Sequence, residues 1–208
     1  MCWNAPISLI SFIIGISIIA LLFYLDYDIK YIIIALSFIF MQLIEFFIWI
    51  YINNKQISFY LSILTFIIIF LQPIIILYFI NDYKYLITYY ILIQLFIFLF
   101  AFFFLHLTFN FKPIVASNHH LNWNWTSNYY YFISFGITYL IFFLGAIYLT
   151  GHHIIFIIAI ITYLYSLYTY YHYGTVSTMW CWFAVILIIY MLFDAIYSYP
   201  YPYSYKLK

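Results

Sequence analysis

Arginine is absent from this chain, and charge of either sign is scarce. Asp, Glu, Lys and Arg together make up 5% of the 208 residues, and all six cations are lysines. A soluble domain carries about 25% charged residues, so water cannot be the solvent for most of this surface. With no arginine and a net charge of +1, no basic patch exists to hold a phosphate backbone, which excludes nucleic acid as a partner. Glycine numbers only five, and no Gly-rich phosphate loop, G-x-S-x-G or H-E-x-x-H pattern occurs. The two cysteines, Cys2 and Cys181, allow one disulfide at most. No basic run precedes the first apolar segment, so MCWNAPISLI is expected to begin a retained span and not a cleaved signal.

What is present is apolar bulk. Hydrophobic residues reach 70%, with 27 Tyr and 25 Phe, and mean hydropathy is +1.11. Ile, Phe, Tyr, Asn and Lys all have AT-rich codons, so part of the aromatic excess reflects base composition. A membrane-spanning helix needs about 20 mainly apolar residues. Seven stretches qualify, at roughly 7–25, 31–51, 58–80, 86–111, 129–150, 154–171 and 179–197. They predict an all-α polytopic membrane bundle forming one domain over 1–208, with a short Tyr/Pro tail at 198–208. The break at 151–153 is the weakest, and six spans with one re-entrant piece is the alternative.

Seven crossings put Lys30, Lys84, Lys206 and Lys208 on the face of the C-terminus, against Lys55 and Lys112 on the other. The positive-inside rule then places the C-terminus in the cytoplasm and the N-terminus outside or in a lumen. Span seven holds no lysine, so a retinal Schiff base has no attachment point.

Polar side chains at membrane depth are costly and mark sites or helix contacts. Glu45, the only glutamate, lies with Gln42 in the oily second half of span two. Counted from the ends of their spans at about 1.5 Å per residue, Glu45 and His106 both sit about 8–9 Å below one face. That depth predicts a polar pocket of Glu45, Gln42 and His106. Glu45 is read as a buried neutral acid, as an ionised acid paired with His106 or Gln42, or as a proton carrier. Gln72 and Gln94 sit at matched depth toward the opposite face and are expected to pair through their amides. Pro73 is expected to kink span three, and Ser11 with Gly15 to let span one pack closely.

The N-terminal face collects Cys2, Trp3, His119, His120, Trp123, Trp125, His172, Trp180, Cys181 and Trp182. An aromatic belt would spread tryptophan over both faces; here Trp3, Trp123, Trp125, Trp180 and Trp182 predict a structured cap on one. Cys2 and Cys181 begin the first and last spans and are candidates for a disulfide, the alternative being two free thiols. His119, His120, His172 and Cys181 are candidate ligands for zinc or copper. Adjacent histidines aim poorly at one ion, so the leading expectation is no cofactor.

Five islands, MCWNAPISL, MQLIEFFIW, LQP, HLNWNW and YHYGTVSTMWCW, together resemble an uncharacterised family of small seven-span membrane proteins of large DNA viruses and protists, with distant bacterial relatives. The resemblance runs end to end as short motifs. It implies a seven-helix membrane protein with Cys-Trp marks at both ends, in a viral, host-cell or organellar membrane. It carries over no catalytic residue.

The expected function is non-enzymatic: a multi-pass protein binding or conducting a small solute or proton through an outward-facing polar pocket. The alternatives are a metal-dependent intramembrane hydrolase and an accessory subunit of a larger membrane complex, such as a respiratory one. Lipid, and other membrane subunits in the last case, are the expected partners.

Overall fold

The computed structural model describes residues 3–79, 83–104, 106–126, 129–180 and 183–198. Cys2, Cys181, Trp182 and the 199–208 part of the tail lie outside these residues, and so does the candidate disulfide. The described chain is an all-α bundle. Its helices are α1 (Ala5–Tyr24), α2 (Ile29–Ile50), α3 (Lys55–Phe79), α4 (Tyr85–Phe104), α5 (Tyr129–Leu149), α6 (His153–Tyr170), α7 (Val176–Trp180) and α8 (Phe183–Ser198). A small antiparallel ribbon, β1 (Ile114–Val115) with β2 (Leu121–Asn122), lies between α4 and α5.

Local chemistry sets the helix ends. The Asn4 side chain accepts from the Ile7 amide at 2.9 Å, with Pro6 in the first turn where no amide is needed. Asp28 accepts from Lys30, and Asn54 from Gln56 and Ile57, at the starts of α2 and α3. At 151–153 the left-handed Gly151 (φ 78°) separates α5 from α6, so this weakest break is a true turn between two helices. Pro73 is accommodated inside α3 without ending it.

Among the described residues six helical stretches are long and apolar enough to cross a membrane, the last running over α7 and α8, and α5 contributes the shorter apolar stretch Ile133–Leu149. Helix is the form such runs must take, because hydrocarbon offers no partner for an open amide. The outer surface agrees. Among the described residues of α4 only Tyr90, Gln94 and Ala101 are buried, while Phe96, Phe103 and Phe104 stand open. A continuous apolar exterior of this kind is suited to lipid. The protein is a multi-pass membrane bundle.

α2 is the central rod, touching α1, α3 and α8. Ser8, Ser11, Gly15, Ile19 and Leu22 form the buried stripe of α1 at three- and four-residue spacing. A Cβ on Gly15 would overlap Cδ1 of Ile39 and stand 2.8 Å from its Cγ1, so Gly15 allows the close approach of α1 and α2.

One boundary departs from expectation. α4 stops at Phe104, not at 111. The Leu107 amide turns back to the Ala101 carbonyl at 3.0 Å, and His106 is exposed at φ 50°. The cause is aromatic: Phe109 and Phe111 stack on each other at 5.1 Å, both meet Phe66, and Phe109 bridges to Thr126. Burying those rings under the cap outweighs another helical turn and a left-handed residue costing about 1–2 kcal/mol. The depth reckoned from Phe111 therefore does not apply to His106.

Candidate functional site

In the sequence N-W-N-W, Trp123 and Trp125 are buried while Asn122 and Asn124 are only partly so, and the left-handed Asn124 (φ 42°) sets the chain direction between the two indoles. The two indoles stack at 4.9 Å with planes 10° apart, and Phe66 abuts Trp125 edge-on at 5.2 Å. Asn110 and Phe111 donate their amides to the Trp125 carbonyl and fix this strand in place.

The cap is tied to the start of the last membrane segment. Thr178 donates its hydroxyl to the Leu121 carbonyl at 2.7 Å, and the Asn118 amide donates to Thr175 Oγ1 at 3.0 Å. The left-handed Gly174 (φ 65°) lies against the Asn122 side chain, which would stand 3.0 Å from any added Cβ. Trp180 is buried just beyond, donating from Nε1 to Thr162 Oγ1 at 3.1 Å and stacking on Phe183.

Beneath this cap lies a cavity of about 370 Å³. Its floor is Phe38, Met41, Ile69 and Gln72 from α2 and α3, with Trp180, Phe183 and Ala184 behind. Trp123 and Trp125 form its roof; Ile133, Gly136, Ile137 and Leu140 line one side, and Tyr163, Leu167 and Tyr171 the other. The α5 set follows a helical i, i+3, i+4, i+7 stripe. Ile133 and Ile137 are also among the exposed residues, at 36% and 53%, so the cavity reaches the outer surface of the bundle along α5, and that is its mouth. Gly136 lies at this mouth, and a Cβ added there meets nothing within 4 Å. The volume is at the lower end of small-molecule sites, and the lining of apolar surface with a few polar groups is also typical.

Of the expected pocket set, only Gln72 lines this cavity. Its Oε1 accepts the Tyr139 hydroxyl at 2.8 Å, so its carbonyl is held by α5 and not by Gln94. Gln94 is buried one helical turn from the buried Tyr90, whose hydroxyl is its nearest polar neighbour on α4. Gln42 and Glu45 are completely buried in α2, one turn beyond Phe38 and Met41 toward the cap. With them at that end of the bundle are the buried Ser8 and Ser11 of α1 and Ser58, Ser62 and Thr65 of α3. His106 does not join them at depth.

Among the described residues no three His, Cys, Asp or Glu side chains converge to hold a metal; Cys181 is outside that set. His119 and His172 are exposed. His120 is instead an aromatic contact: its ring stacks on Trp3 at 6.2 Å and meets Tyr170 edge-on at 5.7 Å. Burial, with His119 beside it, pushes its imidazole pKa below the ordinary 6.5.

Phe38, Met41, Gly136 and Tyr139 do not stand out by residue type in an apolar chain. Gly136 alone left a signal, as a side-chain-free position within span five. No family model, curated protein or solved structure matches the chain.

Proposed function

We propose that this multi-pass membrane protein takes an apolar molecule out of the surrounding bilayer and holds it in the cavity beneath the tryptophan cap. The observation that carries this is the cavity's setting: an apolar space of about 370 Å³, lined by buried indoles, that reaches the apolar outer surface of the bundle at Ile133 and Ile137. Lipid tails are the solvent at that mouth, so an apolar guest reaches it by lateral diffusion, with no aqueous crossing. The chemistry available is binding and presentation; the lining offers no pair of acid and base and no activated nucleophile.

The test is native mass spectrometry of protein extracted in mild detergent. A retained apolar mass is expected, lost in Gly136→Leu, which adds bulk to the cavity lining at a position where a Cβ meets nothing within 4 Å. A wild-type protein that carries no such mass and binds no added apolar probe overturns the reading.

A second reading is favoured by the complete burial of Glu45 and Gln42 among hydroxyl-bearing residues: a solute or proton site near the cap. Desolvation makes such a carboxyl a proton store. Reconstituted protein should then show a pH-dependent flux or ligand affinity that Glu45→Gln abolishes, and identical behaviour of the two proteins would remove this reading. Membership in the seven-span viral and protist family is likewise proposed on the shared motifs.

A further inference from the structure

Gln72 is a polar member of the mainly apolar cavity wall, and only half of its amide is in use. Oε1 accepts the Tyr139 hydroxyl at 2.8 Å, which sets the way the amide points and leaves the two N–H donors of Nε2. Nε2 makes no hydrogen bond among the described residues, and it keeps open surface. The Nε1 of Trp123 is shut off from any guest, whereas Nε2 of Gln72 is not. Gln72 as a whole is only 3% exposed, so the opening it has is into the cavity it lines. It lies about 25 Å along α3 from Lys55 and about 10 Å from Phe79. An N–H inside such a span has hydrocarbon around the bundle and no bulk water to turn to, so leaving it unmatched is costly. An acceptor on the guest removes that cost.

The rest of the lining narrows the acceptor. Among the described residues no Asp, Glu, Lys, Arg or His lines the cavity, so a carboxylate or phosphate would enter without a counter-charge. The buried wall carries the rings of Phe38, Trp180 and Phe183, while the exposed lip on α5 is aliphatic, Ile133 and Ile137. Ring faces suit a flat ring, and the aliphatic lip suits a chain. We infer that the guest is a neutral lipid with a carbonyl on a ring, as in a quinone. Its carbonyl accepts the N–H of Gln72, its ring lies among the buried aromatics, and its hydrocarbon tail runs out past Ile133 and Ile137. This rests on the cavity reading above and names its ligand class. A carbonyl oxygen only accepts, which matches an amide whose own carbonyl is already held by Tyr139.

The experiment uses the full-length protein in micelles and three probes. They are dimethylnaphthoquinone, whose methyl groups block addition of cysteine thiols, dimethylnaphthalene, which has the same rings without oxygen, and an ionised long-chain fatty acid. Each affinity is taken relative to the probe's partition into protein-free micelles, which cancels plain hydrophobicity. The quinone is expected to bind most tightly. Gln72→Met keeps the length and drops the donors; it should weaken quinone binding by about three- to tenfold, the worth of one hydrogen bond, and leave the hydrocarbon unchanged. Tyr139→Phe breaks the same Tyr139–Gln72 bond but spares the amide, so it should keep the quinone preference. Equal binding of quinone and hydrocarbon by the wild type, tighter binding of the fatty acid, no effect of Gln72→Met, or an equal loss in Tyr139→Phe would each overturn the assignment while leaving an apolar site in place. Failure of both ring probes and the fatty acid to bind would instead sink the cavity reading itself.

Discussion

The hydroxyl of Tyr139 on α5 donates to Oε1 of Gln72 on α3 across 2.8 Å, in the wall of the cavity. An amide at this depth has no water to turn to, so the bond fixes α5 against α3 on the side away from the mouth. Tyr139→Phe keeps the ring, which stacks on Phe143 at 5.3 Å, and strands the Gln72 carbonyl. The expected loss is about 1 kcal/mol, since bonds between membrane helices average well below their value in vacuum. Adding Gln72→Leu should recover most of it. Unfolding by SDS in mixed micelles measures both variants, and an undiminished Tyr139→Phe would show that the pair adds nothing.

The α1–α2 contact makes a sharper demand. In most helices Gly→Ala stabilises, by about 1 kcal/mol. At Gly15 the added methyl runs into Ile39, which is β-branched and wholly buried. Gly15→Ala should therefore destabilise, by about 1–3 kcal/mol as overpacking does, and Ile39→Ala in the same chain should return part of the loss. The pair forms a double-mutant cycle; additive costs would mean that the two side chains do not meet.

How far the sequence could be read depends on where its information lies. Span positions follow from hydropathy, and the Ser11–Gly15 contact follows from residue size, so both were visible. The end of α4 was not. The run from Phe102 to Phe111 is rich in Phe and Leu, with His106, Thr108 and Asn110 between them, and average hydropathy does not distinguish a helix continuing into lipid from a chain folding back over its own aromatic rings. Depth reckoned from that end assumed helix as far as Phe111, whereas His106 lies past the end of α4 with its side chain exposed. Gln72 was rightly singled out as a buried polar group, yet its partner proved to be one of 27 tyrosines, none of which the sequence could rank. The cavity itself is formed by what the cap and the helices around it fail to fill, and no single residue announces it.

The cap should respond to acid. Because burial and His119 hold the His120 imidazole below 6.5, the folded cap binds fewer protons than the unfolded chain in the window just under that value. Its contribution to stability is complete above 6.5 and falls away as pH drops through the lowered folded value. His119 and the rings of Trp3 and Tyr170 are the neighbours that set this environment. The chain carries five other histidines, so the informative quantity is the difference between wild type and His120→Gln. Tryptophan emission followed from pH 7.5 downward should show an acid transition that the variant shifts or flattens. Superimposable curves would mean that His120 plays no part in it.

At the far end of the bundle the Tyr27 hydroxyl donates to Asp194 Oδ2 at 2.8 Å, tying the α1–α2 turn to α8. Close by, His152 Nε2 stands 2.9 Å from the Tyr31 hydroxyl and brings the α5–α6 turn to α2. The Tyr27 and Tyr31 rings lie 6.0 Å apart, so the α1–α2 turn, the α5–α6 turn and α8 meet here. A carboxylate acceptor makes a stronger bond than a neutral imidazole does. Tyr27→Phe should thus cost about 1–2 kcal/mol, and Tyr31→Phe about half as much, with the neighbouring rings left in place. Hydrogen exchange of the described amides in 25–32 and 150–153 gives a local reading: the first variant should loosen the α1–α2 turn, the second the α5–α6 turn. If Tyr31→Phe proves the more damaging, the carboxylate bond is not what fastens this end.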